Sequence, residues 1–343
     1  MQREVHSLFE TEIEHDQSGG CVPVTDETKL ADAYRAAHCY YLQEMTMEEI
    51  GRDLGASRST VSRLLSLARA EGLVEFRLRA PTGEVPSLER EVAARFRVDA
   101  HVVPTGDRTS EREALEQVAR FAGMLLGTIC DSGMVLGVAW GTTIEAVSRH
   151  LSRKPTRGSE IVQLNGAGNT YSTGIEYASE ILVRFGRAFE ARVQQFPVPT
   201  FFDYAATREA LWRERSIIRV LELQERADVM CFSVGAVHGG VPSHVYSGGF
   251  LEDRDYALLD ALGVVGDVAT VFLRESGTSD NIPLNDRSSG PPHSVIRRAP
   301  RRVCVVSGVN KARGLRAALA GRLVTDLVID ERSAEALVAL PAL

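Results

Sequence analysis

No stretch of this 343-residue chain is both long and apolar. The longest such run, residues 121–130, falls far short of the ~20 residues that a membrane-spanning helix needs. The N-terminus is acidic and polar, without the basic start and apolar centre of a secretory signal. A cytoplasmic setting is therefore expected. Closely spaced cysteines are also missing. Cys21, Cys39, Cys130, Cys231 and Cys304 form no CxxC or other near pair, and Cys231 and Cys304 lie in apolar strand-like runs, where cysteine serves as a small hydrophobe. This argues against a disulfide framework and a zinc site. His238 and His244 flank a glycine-rich loop without a third ligand nearby, so no metal and no cofactor are expected. Excess positive charge is absent too. A formal net charge of −7 excludes a protein that coats nucleic acid non-specifically, but it leaves room for a small basic face.

Such a face is present. Residues 58–70 carry Arg58, Arg63 and Arg69 and no acid. The stretch around them reads as two short helices joined by a tight turn. Thr46 caps the first, with Glu49 three residues on to complete a capping box. Ile50 and Leu54 share one face, and Gly51 between them permits close approach. Gly55 supplies the left-handed backbone of the turn. Ser57 caps the second helix, where Val61, Leu64, Leu65 and Ala68 recur at helical spacing and face inward. That leaves Arg58, Ser59, Ser62, Arg63 and Arg69 outward, with Thr60 in the same first turn, as donors for phosphates and base edges. This is the pattern of a helix-turn-helix that binds operator DNA. A helix at 30–42 completes a three-helix core, Gly72 stops the recognition helix, and the alternation at 74–79 predicts a strand or wing. Residues 1–27 read as a flexible leader, and 28–80 as the DNA-binding domain.

After a hinge at 80–83, strands and helices alternate over 84–343. Predicted strands are 100–103, 134–139, 160–164, 192–196, 228–234, 268–273, 303–306 and 326–329. Predicted helices are 111–126, 143–151, 175–185, 208–224, 311–320 and 334–339. Short valine-rich runs separated by helices imply an α/β domain with a doubly wound, Rossmann-like parallel sheet. Ligands of such sheets bind beyond the carboxyl ends of the strands. Three loops there stand out: Trp140-Gly141-Thr142-Thr143, Asn165-Gly166-Ala167-Gly168-Asn169 and Ser307-Gly308-Val309-Asn310-Lys311. The first puts a glycine and two hydroxyls at a helix start, suited to an anion. The second offers amide side chains to a polyol, and the third places a lysine at a helix start. Converging, they favour a small phosphorylated or polyhydroxy ligand over plain capping turns.

The chain resembles the sorbitol-operon regulator (SorC) type of bacterial transcription factors, the sugar-binding transcriptional regulators, over about residues 28–340. The carriers are the helix-turn-helix, Gly137-Val138-Ala139-Trp140-Gly141-Thr142-Thr143, Val162-Gln163-Leu164-Asn165-Gly166, Ala227-Asp228-Val229 with Ser233-Val234-Gly235, Leu262-Gly263-Val264-Val265-Gly266-Asp267, Asn285-Asp286-Arg287, Gly308 with Lys311, and Leu327-Val328-Ile329-Asp330-Glu331. The resemblance implies an effector domain similar to sugar-phosphate isomerases and deaminases. It implies phosphate contacts from Gly141, Thr142, Thr143 and Lys311, and sugar contacts from Asn165, Gly235 and Asp267, with Gly166 beside them. It also implies a homodimer or homotetramer that rearranges on DNA when the effector binds. Some members carry a basic residue where this chain has Asn165, which here favours a reversibly bound monophosphate, or a neutral sugar or polyol. An isomerase- or deaminase-like enzyme with an appended DNA-binding unit is the alternative. Asp267 and Lys311 are the near candidates for its acid and base, and an aspartate accepting sugar hydroxyls explains the first more simply. A regulator rather than an enzyme is expected.

Overall fold

The computed structural model describes residues 26–74, 84–106, 108–236 and 243–341. The predicted wing beyond Val74, the hinge at 80–83, His238, Cys21 and nearly all of the predicted leader lie outside them. The chain divides into two compact units, Met1–Leu78 and Arg79–Leu343.

In the first unit, α1 (Asp26–Leu42) begins two residues inside the stretch read as a leader. It packs with α2 (Met47–Asp53) and α3 (Arg58–Ala70) around Ala33, Ala36, Ala37, Ile50, Val61, Leu65 and Ala68. Alanines on α1 leave space for the larger side chains of α3. The local code is met at each boundary. The Thr46 hydroxyl accepts from the Glu49 amide at 3.3 Å, and the Glu49 carboxylate accepts from the Thr46 amide at 2.8 Å. The Ser57 hydroxyl accepts from the Thr60 amide at 3.1 Å. Gly55 and Gly72 take φ of +61° and +70°, ending α2 and α3. Gly51 is required by what it touches, since a Cβ there would lie 2.6 Å from the Ala56 carbonyl oxygen.

The second unit is built on ten strands among the described residues: β1 (Asp99–Val103), β2 (Val135–Val138), β3 (Glu160–Gln163), β4 (Arg192–Gln194), β5 (Val229–Phe232), β6 (Val234–Gly235), β7 (Val264–Val268), β8 (Val271–Arg274), β9 (Arg301–Val306) and β10 (Asp326–Asp330). Seven form a parallel sheet in the order β1-β10-β9-β5-β2-β3-β4. The helices are α4 (Glu84–Phe96), α5 (Glu111–Ile129), α6 (Thr142–Arg149), α7 (Ile175–Phe189), α8 (Ala205–Leu211), α9 (Arg215–Glu225), α10 (His244–Ser247), α11 (Asp253–Ala261), α12 (Pro283–Arg287), α13 (His293–Ile296), α14 (Ala312–Ala320) and α15 (Glu331–Ala339). Helices α5, α6 and α7 bury Val118, Leu126, Ile144, Val147 and Phe185 on one face of the sheet. Helices α4, α9, α14 and α15 bury Val92, Val220, Leu315 and Leu337 on the other. Successive strand residues alternate between the two cores, as in Cys231 against Phe232, which explains why these strands read as unbroken apolar runs. Cys130, Cys231 and Cys304 are free, buried thiols.

Three predicted elements come out differently. Residues 268–273 are not one strand. They span the turn of a hairpin in which β7 and β8 pair antiparallel, with Ala269 and Thr270 at φ of +47° and +68°. Such a turn is usually signalled by glycine or asparagine, so Val-Ala-Thr-Val reads as continuous strand. The run 228–234 splits at Ser233: β5 stays in the parallel sheet, while β6 leaves it to pair with β7, forming a separate three-stranded sheet with β8. The helix expected at 208–224 breaks into α8 and α9.

Substituting Gly51→Ala drives a methyl group into the Ala56 carbonyl. The expected cost is ~1–3 kcal/mol to the first unit, read as a lower unfolding midpoint for its helices, with the second unit's transition unmoved.

Candidate functional site

On α3, Arg58, Ser59, Ser62, Arg63 and Arg69 are exposed, as the helical spacing requires. Among the described residues the contacts of the three guanidinium groups stay within α2 and α3. Arg58 Nε lies 3.1 Å from Glu48, Arg63 Nε donates to the Ser59 carbonyl at 3.4 Å, and Arg69 reaches the Leu65 carbonyl and the Ser66 hydroxyl. Thr60 is half-buried, its hydroxyl 2.8 Å from that of Ser57. The helix therefore presents a basic face that can reorganise onto a phosphate backbone.

The second unit contains a cleft at the carboxyl ends of β2, β3, β5 and β9, with about 670 Å³ of empty space including its mouth. Its position follows from topology. β2 lies between β3 and β5, and the chain leaves β2 toward β3 on one side and β5 toward β9 on the other. Loops that depart in opposite directions leave a crevice at their strands' ends. All three loops singled out from the sequence contribute to it, through Gly141, Thr142, Thr143, Asn165, Ser307 and Lys311. Gly235 and Asp267, implied by the family resemblance, line it as well. Gly166 does not line it. That glycine packs under the loop, its carbonyl accepting from Trp140 Nε1 at 2.8 Å and its would-be Cβ only 2.2 Å from the Val198 carbonyl oxygen.

At one side Gly141, at φ +141°, starts α6 without a side-chain cap, and Lys311 reaches across from the loop after β9. The Lys311 ammonium is buried and donates to the Thr143 hydroxyl at 3.2 Å. Among the described residues no carboxylate lies within ion-pair distance of it. Burial lowers its pKa from the ordinary lysine value, opposed by the more distant Asp267 and Asp330. A cation, a threonine hydroxyl and uncapped helix amides together have the charge and the donors that an anion takes.

Elsewhere the cleft carries unpaired polar atoms. Asn165 Oδ1, Ser233 Oγ and Asp267 Oδ1 are buried without hydrogen-bond partners. Unsatisfied polar atoms are expensive to bury; a ligand hydroxyl, a water or, for Asp267, the equally unpartnered Tyr246 hydroxyl can satisfy them. Asp267 is fixed by its other oxygen, Oδ2, which accepts from the Thr270 amide at 2.9 Å across the β7–β8 turn. It stands opposite Gly235 in the β6–β7 pairing, where a Cβ on Gly235 would fall 1.9 Å from Asp267 Oδ1. Burial raises its carboxyl from 3.8 to about 6, against the lowering effects of Thr270, Tyr246 and Lys311.

Trp140, Ser233 and His244 also line the cleft, and no local sequence pattern assigns them a role there beyond the place of Trp140 next to the Gly-Thr-Thr turn. Among the described residues no cluster of metal-binding side chains exists, and His244 faces the cleft without other ligands beside it. No helix of the described residues is long and apolar enough to cross a membrane.

Residues 81–339 match the family described as "Putative sugar-binding domain", and residues 38–71 match sigma-70 region 4. The deoxyribonucleoside regulator of Bacillus subtilis (strain 168) is 29% identical over 316 residues, covering 91% of this chain and 99% of that protein. Among solved structures, a domain of a "possible sugar-binding transcriptional regulator" from Arthrobacter aurescens TC1 is 52% identical, with a TM-score of 0.71 over 76% of this chain and 100% of its own. The full-length sorbitol operon regulator SorC of Klebsiella pneumoniae superposes with a TM-score of 0.68 over 92% of this chain and 100% of its own; at 22% identity it speaks to the fold alone.

The raised Asp267 carboxyl has a consequence for stability. Its folded-state pKa exceeds the unfolded value, so folding takes up a proton between about pH 4 and about 6. The stability due to the protonated form is complete below that window and is lost as pH rises through about 6. Asp267→Asn mimics the protonated form. The second unit of the ligand-free variant should unfold near the wild-type midpoint at pH 4 and above it at pH 8, by up to about 3 kcal/mol. An equal effect at both pH values contradicts the assignment.

Proposed function

Because the chain belongs to the SorC-type family of sugar-binding transcriptional regulators, we propose that it binds operator DNA through α3 and that a sugar monophosphate in the cleft sets its affinity for that DNA. The observation that carries the ligand's chemistry is the buried Lys311 ammonium, held by Thr143 with no carboxylate partner among the described residues. The phosphate sits against Lys311, Thr142, Thr143 and the amides at the start of α6. Asn165, Ser233 and Asp267 accept hydroxyl protons from the sugar. Lys311 is the one cation lining the cleft among the described residues, while Asp267 and Glu111 are acidic. This charge balance supports one phosphate and opposes a bisphosphate. The names of the relatives, a deoxyribonucleoside regulator and a sorbitol operon regulator, support a polyhydroxy effector of carbohydrate metabolism.

On DNA, Arg58, Ser59, Ser62, Arg63 and Arg69 supply the contacts, with Thr60 holding the start of the recognition helix. One helix-turn-helix reads a short half-site, so specificity calls for a symmetric pair of chains. The effector acts at a distance, through its differential affinity for two arrangements of the effector domains, typically 1–3 kcal/mol of coupling.

Two substitutions separate the roles. Lys311→Ala is expected to weaken sugar-phosphate binding tenfold or more, since hydrogen bonds to charged groups contribute about 1.5–3 kcal/mol, and to leave ligand-free operator affinity near wild type. Arg63→Ala is expected to cost ~1–3 kcal/mol of operator binding with sugar-phosphate binding intact. Calorimetry with sugar phosphates and anisotropy titration of operator DNA at fixed salt read the two outcomes. A Lys311→Ala protein that responds to sugar phosphate at the wild-type concentration contradicts the anion subsite.

A further inference from the structure

One residue lining the cleft has no part in the contacts described so far. His244 opens α10, and its ring centroid lies 4.8 Å from Tyr177, 5.7 Å from Trp140 at an interplanar angle of 88°, and 5.6 Å from Phe250 at 66°. Trp140 is itself fixed. Its indole N–H is shared between the carbonyls of Asn165 and Gly166 at 3.0 and 2.8 Å, and Phe250 lies against it at 5.3 Å. The imidazole is thus positioned by ring packing. Among the described residues no hydrogen bond to either of its nitrogens is present. Burial lowers its pKa from the ordinary 6.5 and so favours the uncharged ring.

An uncharged imidazole in an aromatic cluster offers two features together. Its edge carries a hydrogen-bond donor and an acceptor, and its surroundings are flat and apolar. A closed sugar ring is complementary to both, with C–H groups on its faces and hydroxyls at its edge. The open-chain polyol of the same carbon number holds neither in fixed geometry, and ordering its torsions carries an entropic cost that the ring avoids. The acceptors Asn165 Oδ1 and Asp267 Oδ1 bind hydroxyls of either form, and the Lys311 subsite binds the phosphate of either. Discrimination between the two therefore falls to Trp140 and His244, the two rings of this cluster that line the cleft, with Tyr177 and Phe250 packed behind them.

We propose that His244 is a specificity-determining residue of the cleft, selecting the ring form of a sugar monophosphate over the corresponding open-chain polyol phosphate. The proposal rests on the reading of this cleft as a sugar-phosphate site.

Calorimetric titration of the purified full chain with matched probes tests it: glucose 6-phosphate or fructose 6-phosphate against glucitol 6-phosphate, ribose 5-phosphate against ribitol 5-phosphate, and inorganic phosphate as the anion alone. In the pair that binds, the ring-forming sugar is expected to bind at least tenfold tighter than its polyol. His244→Phe keeps an aromatic ring among Trp140, Tyr177 and Phe250 but loses the nitrogens, and His244→Asn keeps polarity but loses the ring. Both are expected to reduce the preference at least threefold while leaving inorganic phosphate binding within twofold. A polyol phosphate that binds as tightly as its sugar, or a preference unchanged in both variants, overturns the role of His244 and leaves the sugar-phosphate reading standing. If the wild-type chain binds none of the probes, inorganic phosphate included, that reading fails and the role of His244 falls with it.

Discussion

A buried ammonium without an ion-pair partner among the described residues is the constraint on which the effector domain turns. Lys311 is removed from water, hydrogen-bonded to Thr143, and lowered in pKa by its burial. Taking a charge out of water costs several kcal/mol unless something compensates it. Three features of the fold make the position tolerable: the Thr143 hydroxyl accepts from the ammonium, Asp267 and Asp330 act on it at longer range, and the cleft leaves room for an anion beside it. The uncapped start of α6 adds to the positive potential there and so offsets none of the cost. In the proposed function a ligand phosphate supplies the counter-charge, and control of DNA affinity further requires that it bind one arrangement of the effector domains more tightly than the other.

The second constraint is a close crossing of backbones. Ser233 marks where the chain leaves the parallel sheet, and two residues later Gly235 meets Asp267 with no space for a side chain. Gly266 is pressed from the same side, its would-be Cβ 2.3 Å from the Gly235 carbonyl oxygen. The small antiparallel sheet exists because these two glycines allow it. It in turn carries Asp267, a buried carboxylate of the cleft, braced by a turn whose Ala269 and Thr270 sit at positive φ. Strain of that sort is retained where surrounding structure over-determines it, and functional sites are where it collects. Lys311 and Asp267 thus come from unrelated strand ends and meet through topology.

What could be read from the sequence divides along the same line. The helix-turn-helix was legible residue by residue, because Thr46, Glu49, Gly55 and Ser57 act on neighbours three or four positions away. The parallel sheet was legible from valine-rich runs, and the three loops that line the cleft from glycines, hydroxyls and a lysine at strand ends. The β7–β8 hairpin was not, because its turn uses alanine and threonine where glycine or asparagine gives the usual signal. The positions of Gly235 and Asp267 rested on family resemblance, since no local pattern places residue 235 against residue 267. The roles of Ser233 and His244 depend on packing between segments far apart in sequence, and Tyr177 and Phe250 show nothing of their shared cluster in the order of residues alone.

The central claim is that ligand in the cleft and operator on α3 are thermodynamically coupled, and linkage gives it a direct measurement. Operator affinity is measured by fluorescence anisotropy at fixed salt across a titration of the tightest-binding sugar monophosphate. The affinity of that same sugar phosphate is then measured with and without saturating operator. The account predicts a saturable change in operator affinity of about 5- to 150-fold, and an equal factor in the reciprocal experiment. A sugar phosphate that binds and raises the unfolding midpoint of the second unit, yet shifts operator affinity by less than twofold, would contradict it.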